Sequence, residues 1–416
     1  MHPRHFMPER LPPVPRHDGR IIILAAGKAA GSMAQVAERH YLGLGMPPER
    51  LSGLAVARHG YGVALERITM REAGHPVPDE GSIAGALEML ALAEEAQRGD
   101  LVLFLLSGGA SACLAAPVDG VTLAEKQALT RALLASGASI GEINTVRRHL
   151  SRIKGGRLAQ KVAPARLITI ALSDVPRDEL AAIGSGPSVP DPTTLAEARA
   201  ILSRYAIFPA ESIRSALSNP ENETLKPGDA AFAGTRAMIA AGPADGFAGA
   251  VVEATRLGYH VVDLGADIQG EAREVAAHHA TLALAEARSG RRIALISGGE
   301  LTVTLGEAPA GEDRGRGGPN QEYALALALA LKGAAHIVAL AGDTDGTDGG
   351  AGNPDDPAGA IVDPGTLARA EAKGAVASRF LERHDSTGFF SLCGDLLVTG
   401  PTLTNANDIR VILIDG

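Results

Sequence analysis

The sequence predicts an α/β protein of two domains, each built on a mainly parallel sheet flanked by helices. Three observations predict it. Short, continuous apolar runs rich in Ile, Leu and Val recur along the chain, as strands buried on both faces of a parallel sheet require. Each run stops abruptly in a Gly/Ser/Asp loop, and an Ala-rich helical stretch follows. The length, 416 residues, suits two domains at ~100–200 residues each.

In chain order, Ile21–Ala26 runs into Gly27-Lys28-Ala29-Ala30-Gly31, and 101–106 into Ser107-Gly108-Gly109-Ala110-Ser111. The run 167–172 meets Ser173-Asp174-Val175-Pro176, with Asp178 just beyond. In the second half, 293–296 meets Ser297-Gly298-Gly299-Glu300, and 337–341 meets Gly342-Asp343-Thr344-Asp345; 260–264 is a weaker member. Stretches such as 83–97 and 246–257 suit crossover helices. Polar turn formers crowd residues 218–234, which places a boundary there. The expected domains are a Rossmann-like 1–232 and a second α/β domain at 236–416. In open parallel sheets ligands bind beyond the carboxyl ends of the strands. Every loop named above lies at such an end, so the expected active site is a cleft between the loop-bearing edges of the two domains.

Composition narrows the function. The net charge is −9, which argues against a nucleic-acid or membrane-surface partner. Aromatics are 3% and Trp is absent, so stacking platforms for bases are poorly supplied. Cys113 and Cys393 fit neither a zinc pattern nor a disulfide framework, which suits a reducing, cytoplasmic setting. No apolar run is long enough for a membrane span or a signal-peptide core. Glycine, at 50 residues, exceeds the usual ~7% and gathers after apolar runs, where backbone turns tightly or approaches a ligand.

Several constellations could carry chemistry. Lys28, at a helix start beside exposed amides, suits a phosphate or carboxylate, or is a solvated lysine capping a strand. The surrounding residues form neither a Walker A loop nor G-x-G-x-x-G. Ser107, Gly108, Gly109 and Ser111 have the makings of an anion nest, or of an ordinary tight turn with a helix cap. Over 140–158, Ile143, Val146, Leu150 and Ile153 step as one helical face. Asn144, Arg147, Ser151 and Lys154 form a polar seam about 100° around that helix. It lines a cleft, or else is a solvated flank. Asp343, Asp345 and Asp348 place three carboxylates in six residues, a pattern that suits Mg²⁺ with substrate phosphates or a solvent-facing loop of Asx turns. Arg316, held between glycines and followed by Asn320, Gln321 and Glu322, can meet an anion bidentately, or the stretch is a mobile surface loop of similar composition.

Taken together, these segments resemble glycerate 2-kinases with a MOFRL-type C-terminal domain, a family sometimes labelled hydroxypyruvate reductase. The resemblance rests on Gly27-Lys28-Ala29-Ala30, His75-Pro76-Val77-Pro78-Asp79-Glu80 and Leu106-Ser107-Gly108-Gly109. It continues through the stretch 142–159, Ser173-Asp174-Val175-Pro176, Ser185-Gly186-Pro187, Ser297-Gly298-Gly299-Glu300, and the stretches 315–322 and 343–349, in order from about 20 to 410. Two departures stand out. Family members carry a further helical stretch before the first strand, and Arg177 stands where a Gly usually follows Ser-Asp-Val-Pro.

The resemblance implies an enzyme that transfers the ATP γ-phosphoryl group to the 2-hydroxyl of D-glycerate with Mg²⁺, giving 2-phosphoglycerate. Lys28 and Arg316 match the family's central cations. On that basis Asp343, Asp345 and Asp348 are expected to hold the metal, and Asp174, then Glu300, to receive the hydroxyl proton. Ser107, Gly108, Gly109, Ser111, Asn144, Arg147 and Lys154 are expected to hold anionic groups. Asn320, Gln321 and Glu322 are expected to orient hydroxyls or metal waters. The partners expected are the two small-molecule substrates, with no nucleic acid or membrane and with room for a homo-oligomer. The alternatives are an NAD(P)H-dependent hydroxypyruvate reductase and a non-catalytic sugar-acid or nucleotide binder.

Overall fold

The computed structural model describes residues 2–16, 18–175, 179–305, 315–350, 353 and 355–416. They divide into two units, residues 2–240 and 241–416. The first holds strands β1 (Ile21–Ala26), β2 (Leu51–Arg58), β3 (Ile68–Ala73), β4 (Leu101–Ser107), β5 (Arg166–Leu172) and β6 (Thr235–Ala241). They form one sheet in the order β3-β2-β1-β4-β5-β6, with β2/β3, β1/β2, β1/β4 and β4/β5 parallel. Every residue of β1 and β4 is buried, which is why their sequences are apolar without alternation.

Register places Ile21 beside Leu51 on one side and Leu101 on the other. On one face Leu24, Phe104 and Leu106 pack in the same core as Ala86, Met89 and Ala93 of the helix Glu80–Glu94. Burying each large side chain there contributes roughly 1.5–3 kcal/mol. That helix starts where Asp79 accepts the Ser82 N–H at 3.0 Å while Ser82 Oγ accepts the Asp79 N–H at 3.1 Å. From β1 the chain moves outward to β2 and β3, then returns to place β4 on the other side of β1. The loops after β1 and β4 therefore part at the reversal of strand order, where open α/β sheets bind ligands.

The helices Leu123–Ala135, Ile140–His149, Leu195–Arg204 and Glu211–Ser218 enclose a separate small core around Leu133, Val146, Ile201 and Leu217. Residues 218–234 lead into β6, which lies next to β5, and the Leu167 N–H bonds the Gly234 carbonyl at 3.1 Å. The polar stretch read as a domain boundary is thus a connection inside the first unit, and the division falls at 240/241.

The second unit holds β7 (His260–Asp263), β8 (Gly270–Glu271), β9 (Ile293–Gly298), β10 (Leu301–Thr302), β11 (Ile337–Asp343), β12 (Gly359–Val362), β13 (Leu396–Leu397) and β14 (Asp408–Ile414). The large sheet runs β13-β12-β11-β14-β9-β7. Here the expected parallel character holds only for β7/β9; the other four pairings are antiparallel. β14, which no apolar run named from the sequence includes, supplies two of those pairings, and its residues alternate between full and partial burial, as an antiparallel strand allows. The helix Pro319–Leu331 is apolar nearly all round and therefore buried. The small side chains of Ala276, Ala280 and Ala283 on the helix Ala272–Glu286 share one core with it. Cys113 and Cys393 are free, buried thiols. Among the described residues no helix is long and apolar enough to cross a membrane.

Candidate active site

At the strand-order reversal the loops after β1 and β4 are joined directly. The Lys28 N–H bonds the Gly108 carbonyl at 2.8 Å. Ser107 Oγ accepts the Ala29 N–H at 3.0 Å and donates to the Ala26 carbonyl at 3.3 Å. Gly27 holds φ of +113°, and a Cβ there would stand 2.4 Å from the Ser107 carbonyl oxygen. Only glycine allows that approach. Ser107 and Gly108 are buried and occupied in this junction, so they position the Lys28 loop.

Gly109, also at positive φ (+81°), keeps the next stretch of wall open. A Cβ on it would lie 3.1 Å from Lys28 Cγ and 3.0 Å from His75 Cδ2. Gly109 lines a pocket of about 400 Å³ whose walls include Lys126, Arg131, Arg147 and Lys154 and no carboxylate. Lys154 Nζ donates to the Ser111 carbonyl at 2.9 Å and to Ser111 Oγ at 3.2 Å. Ser111 Oγ is 3.0 Å from Ser185 Oγ, which donates to Asn144 Oδ1 at 3.2 Å. Asn144 thus acts through Ser185 and Ser111. Burial, then the neighbouring Lys126 and Arg147, hold the Lys154 ammonium well below the ordinary lysine range. Lys126 donates to the Leu150 carbonyl at 2.8 Å, and burial followed by Arg147 pushes it down to about 7. Burial also lowers Arg147.

The seam survives with different local structure. Its helix stops at His149, because Ser151 pairs with Pro117 and its hydroxyl takes the N–H groups of Ile153 and Lys154 at 3.4 Å. Arg147 reaches the pocket from the helix and Lys154 from the turn after it. Ser151 is fully buried and serves that turn. Lys126, on the helix Leu123–Ala135, escaped the sequence reading because one lysine in an amphipathic helix looks like any solvated one. Asp174 follows β5, half-buried; Asp178 and Arg177 lie outside the described residues.

In the second unit, Asp343 ends β11 directly opposite Asp408, which begins β14. Both line a pocket of about 350 Å³ with Gly298, Phe247, Thr344 and Thr404. Asp343 Oδ1 accepts the Asp345 N–H at 2.9 Å, and Asp345 Oδ1 accepts the Thr347 N–H at 2.8 Å. Asp348 differs. Its carboxylate accepts the N–H groups of Asn320 (3.0 Å) and Gln321 (2.8 Å) and both side-chain amides (3.1 and 3.2 Å). With those four donors on its oxygens it closes the helix Pro319–Leu331 and is not a metal ligand. Among the described residues no three His, Cys, Asp or Glu side chains gather as a metal-holding group, so the expected aspartate triplet does not form.

Asn320, Gln321 and Glu322 are likewise structural. All three are buried; Gln321 Oε1 accepts the Thr387 hydroxyl at 2.7 Å. Glu322 Oε1 meets Arg273 at 2.6 Å and His384 Nδ1 at 3.1 Å. These contacts tie Gln321, Glu322 and the Asn320 amide nitrogen to their own fold. Arg316 is exposed, on a loop whose backbone is held by Asp385 Oδ1 (3.1 Å) and the Thr387 N–H (2.9 Å). Glu300 follows β9, exposed. Beneath it Arg410, missed in the sequence, donates to Ser297 Oγ at 3.1 Å and to the Gly298 and Gly299 carbonyls. Arg410 also lies 3.5 Å from Asp408, whose carboxyl burial pushes up to about 7.

Fold and site together define a two-domain α/β protein with glycine loops at its strand ends and a pocket lined by basic side chains beside them. Residues 1–218 match the family described as a domain of unknown function (DUF4147), and residues 293–408 match the MOFRL family. A Pyrococcus horikoshii glycerate 2-kinase is 38% identical over 407 residues, covering 95% of this chain and 88% of that protein. An Agrobacterium vitis protein carrying a hydroxypyruvate reductase name is 46% identical over 416 residues, covering 99% and 91%. The crystal structure of a Thermotoga maritima glycerate kinase superposes with a TM-score of 0.82 at 37% identity, covering 99% of this chain and 94% of that one. The chain belongs to the glycerate kinase family.

Proposed function

We propose that this protein is a glycerate 2-kinase that moves the γ-phosphoryl group of ATP to the 2-hydroxyl of D-glycerate, with Mg²⁺, giving 2-phosphoglycerate and ADP. The observation that carries the reading is Lys28 on a hydrogen-bonded glycine loop at the strand-order reversal, beside a pocket lined by four basic side chains and no carboxylate. Relatives named for glycerate kinase activity that align with both units support it. Phosphoryl transfer asks the protein mainly for alignment and charge neutralisation. Lys28 and Arg316 are assigned the charge on the transferring group and on the glycerate carboxylate. Gly109, Ser111, Arg147 and Lys154, with Asn144 behind them, hold anionic groups. Asp174, with Glu300 second, receives the hydroxyl proton.

Asp343 fits a magnesium ion by donor chemistry: it is a hard oxygen ligand on a pocket wall, and Mg²⁺ takes one or two carboxylates beside phosphates and water. Asp345, two residues on, is the second donor; Asp348 is excluded by its four hydrogen bonds. When bound, the ion neutralises phosphate charge. The buried free thiols suit a cytoplasmic setting.

A hydroxypyruvate reductase, the name some relatives carry, needs a dinucleotide site. The loop after β1 has Ala29 where G-x-G-x-x-G has its second glycine. The deciding experiment is ³¹P NMR of the product formed from D-glycerate, ATP and Mg²⁺. A 2-phosphoglycerate signal is expected. A 3-phosphoglycerate signal overturns the regiochemistry, and NAD(P)H oxidation by hydroxypyruvate without phosphoryl transfer overturns the kinase.

A further inference from the structure

Two observations on the first unit point to one kind of ligand. The first is electrostatic. In a chain of net charge −9, four basic side chains surround a pocket with no carboxylate in its walls. Desolvation and mutual repulsion disfavour the charged forms of basic groups crowded together, and a ligand bearing several negative charges offsets that cost better than a single carboxylate. The second is apolar. Val77 and Leu134, 56% and 59% exposed, are among the large hydrophobic side chains left open to solvent, and both line this pocket. Pro76, Pro78, Ala112, Ala115 and Leu123 extend the apolar wall. The Gln127 side-chain amide donates to the Pro78 carbonyl at 2.7 Å and ties the segment 75–78 to the helix carrying Leu134.

Exposure orders the pocket from mouth to floor: Val77 and Leu134 lie outermost, while Lys154 is 3% exposed. A three-carbon hydroxy acid has no apolar surface for those walls, and about 400 Å³ is far more room than it fills. A flat base joined to a polyphosphate uses both.

We infer that this pocket seats the nucleoside triphosphate, with the base between Val77 and Leu134 at the mouth and the phosphates directed toward Arg147 and Lys154. Lys28, whose stem borders the Gly109 wall, then flanks the outgoing phosphate. The inference rests on the kinase reading and adds to it which unit holds the base.

The test pairs labelling with kinetics on the full-length protein. 8-Azido-ATP is photolysed on the protein and the labelled peptide is mapped, and Leu134→Glu is assayed with ATP and D-glycerate. Leu134 is exposed, so the variant is expected to fold, which its circular dichroism and unfolding midpoint check. The expected result is label within 75–78 or 123–134, suppressed by ATP, with KM for ATP raised about 10-fold or more and KM for D-glycerate little changed. Label confined to residues 241–416 with normal turnover overturns the pocket assignment and leaves the kinase standing. A shift in KM for D-glycerate alone also overturns it, giving the pocket to the acid. ATP-protected label at 75–78 or 123–134 without phosphoryl transfer supports the nucleotide site while removing the kinase.

Discussion

The carboxylate of Asp348 accepts the backbone N–H of Gln321 at 2.8 Å and so closes the first turn of the helix Pro319–Leu331 from 27 residues away in sequence. The Asn320 N–H at 3.0 Å completes the pair. Both donors are orphans of a helix start, and both are buried. Asp348→Ala strands them, which is expected to destabilise the second unit by about 1–3 kcal/mol. A drop in thermal midpoint, with the magnesium requirement of the surviving folded enzyme unchanged, is the expected outcome. A normal midpoint with a raised magnesium requirement would restore Asp348 to the metal site.

The same carboxylate predicts a pH signature. Burial raises its pKa from the usual carboxylate value to about 6, outweighing the four hydrogen bonds that pull it down. A folded-state pKa above the unfolded value makes its contribution to stability complete below about pH 4 and lost as pH rises through 6. The loss amounts to about 3 kcal/mol. Asp348→Asn cannot titrate, so the stability gap between wild type and variant is widest near pH 4 and narrows toward pH 7. Urea unfolding at several pH values measures it. A gap that stays constant would show that the carboxylate is not displaced in this way.

How much of this was legible in the sequence depends on range. The loops after β1, β4, β9 and β11 were readable because an apolar run ending in glycine announces a strand end locally. The pairing of β14 between β11 and β9 was not, because it joins residues near 410 to segments some 70 and 115 positions earlier. Nor was the distinction between Asp343, on a pocket wall, and Asp348, closing a helix: five residues apart in one acidic loop, they are chemically identical until the fold supplies Asn320 and Gln321. Lys126 fails for the converse reason, since only the packing of helices brings it to Arg147 and Lys154.

Glu322 makes a buried ion pair with Arg273 at 2.6 Å and meets His384 at 3.1 Å. Removing one member of such a pair leaves the other charge uncompensated. Arg273 is partly exposed, so the expected loss in Glu322→Gln is about 1–3 kcal/mol. Because the side chain faces its own fold, KM for D-glycerate and for ATP should stay within about 2-fold of wild type. A selective rise in KM for D-glycerate at unchanged stability would instead return Glu322 to the substrate.

Asp343→Asn removes the pocket-wall carboxylate and keeps its shape. If Asp343 holds magnesium, the concentration of Mg²⁺ giving half-maximal rate rises by about 10-fold or more, while thermal stability without metal changes little. Titrating the rate with Mg²⁺ at saturating ATP reads this directly. An unchanged half-saturation point assigns the metal to other ligands.

Lys28 is the residue on which the mechanism depends most, and Ser107 tests it without touching it. Lys28→Ala should lower kcat/KM by ~10²-fold or more, as the loss of one donor to transition-state charge does elsewhere. That result alone could reflect a collapsed loop. Ser107→Ala separates the two, because it removes the hydroxyl that accepts the Ala29 N–H at 3.0 Å and leaves the lysine in place. If Ser107 fixes the direction of the Lys28 loop, this variant loses kcat by about 10-fold with KM for both substrates nearly unchanged, since misalignment weakens the transition state more than the ground state. A wild-type kcat in Ser107→Ala with a damaged Lys28→Ala would show that the lysine finds its position unaided. Wild-type rates in both would take the β1 loop out of the chemistry.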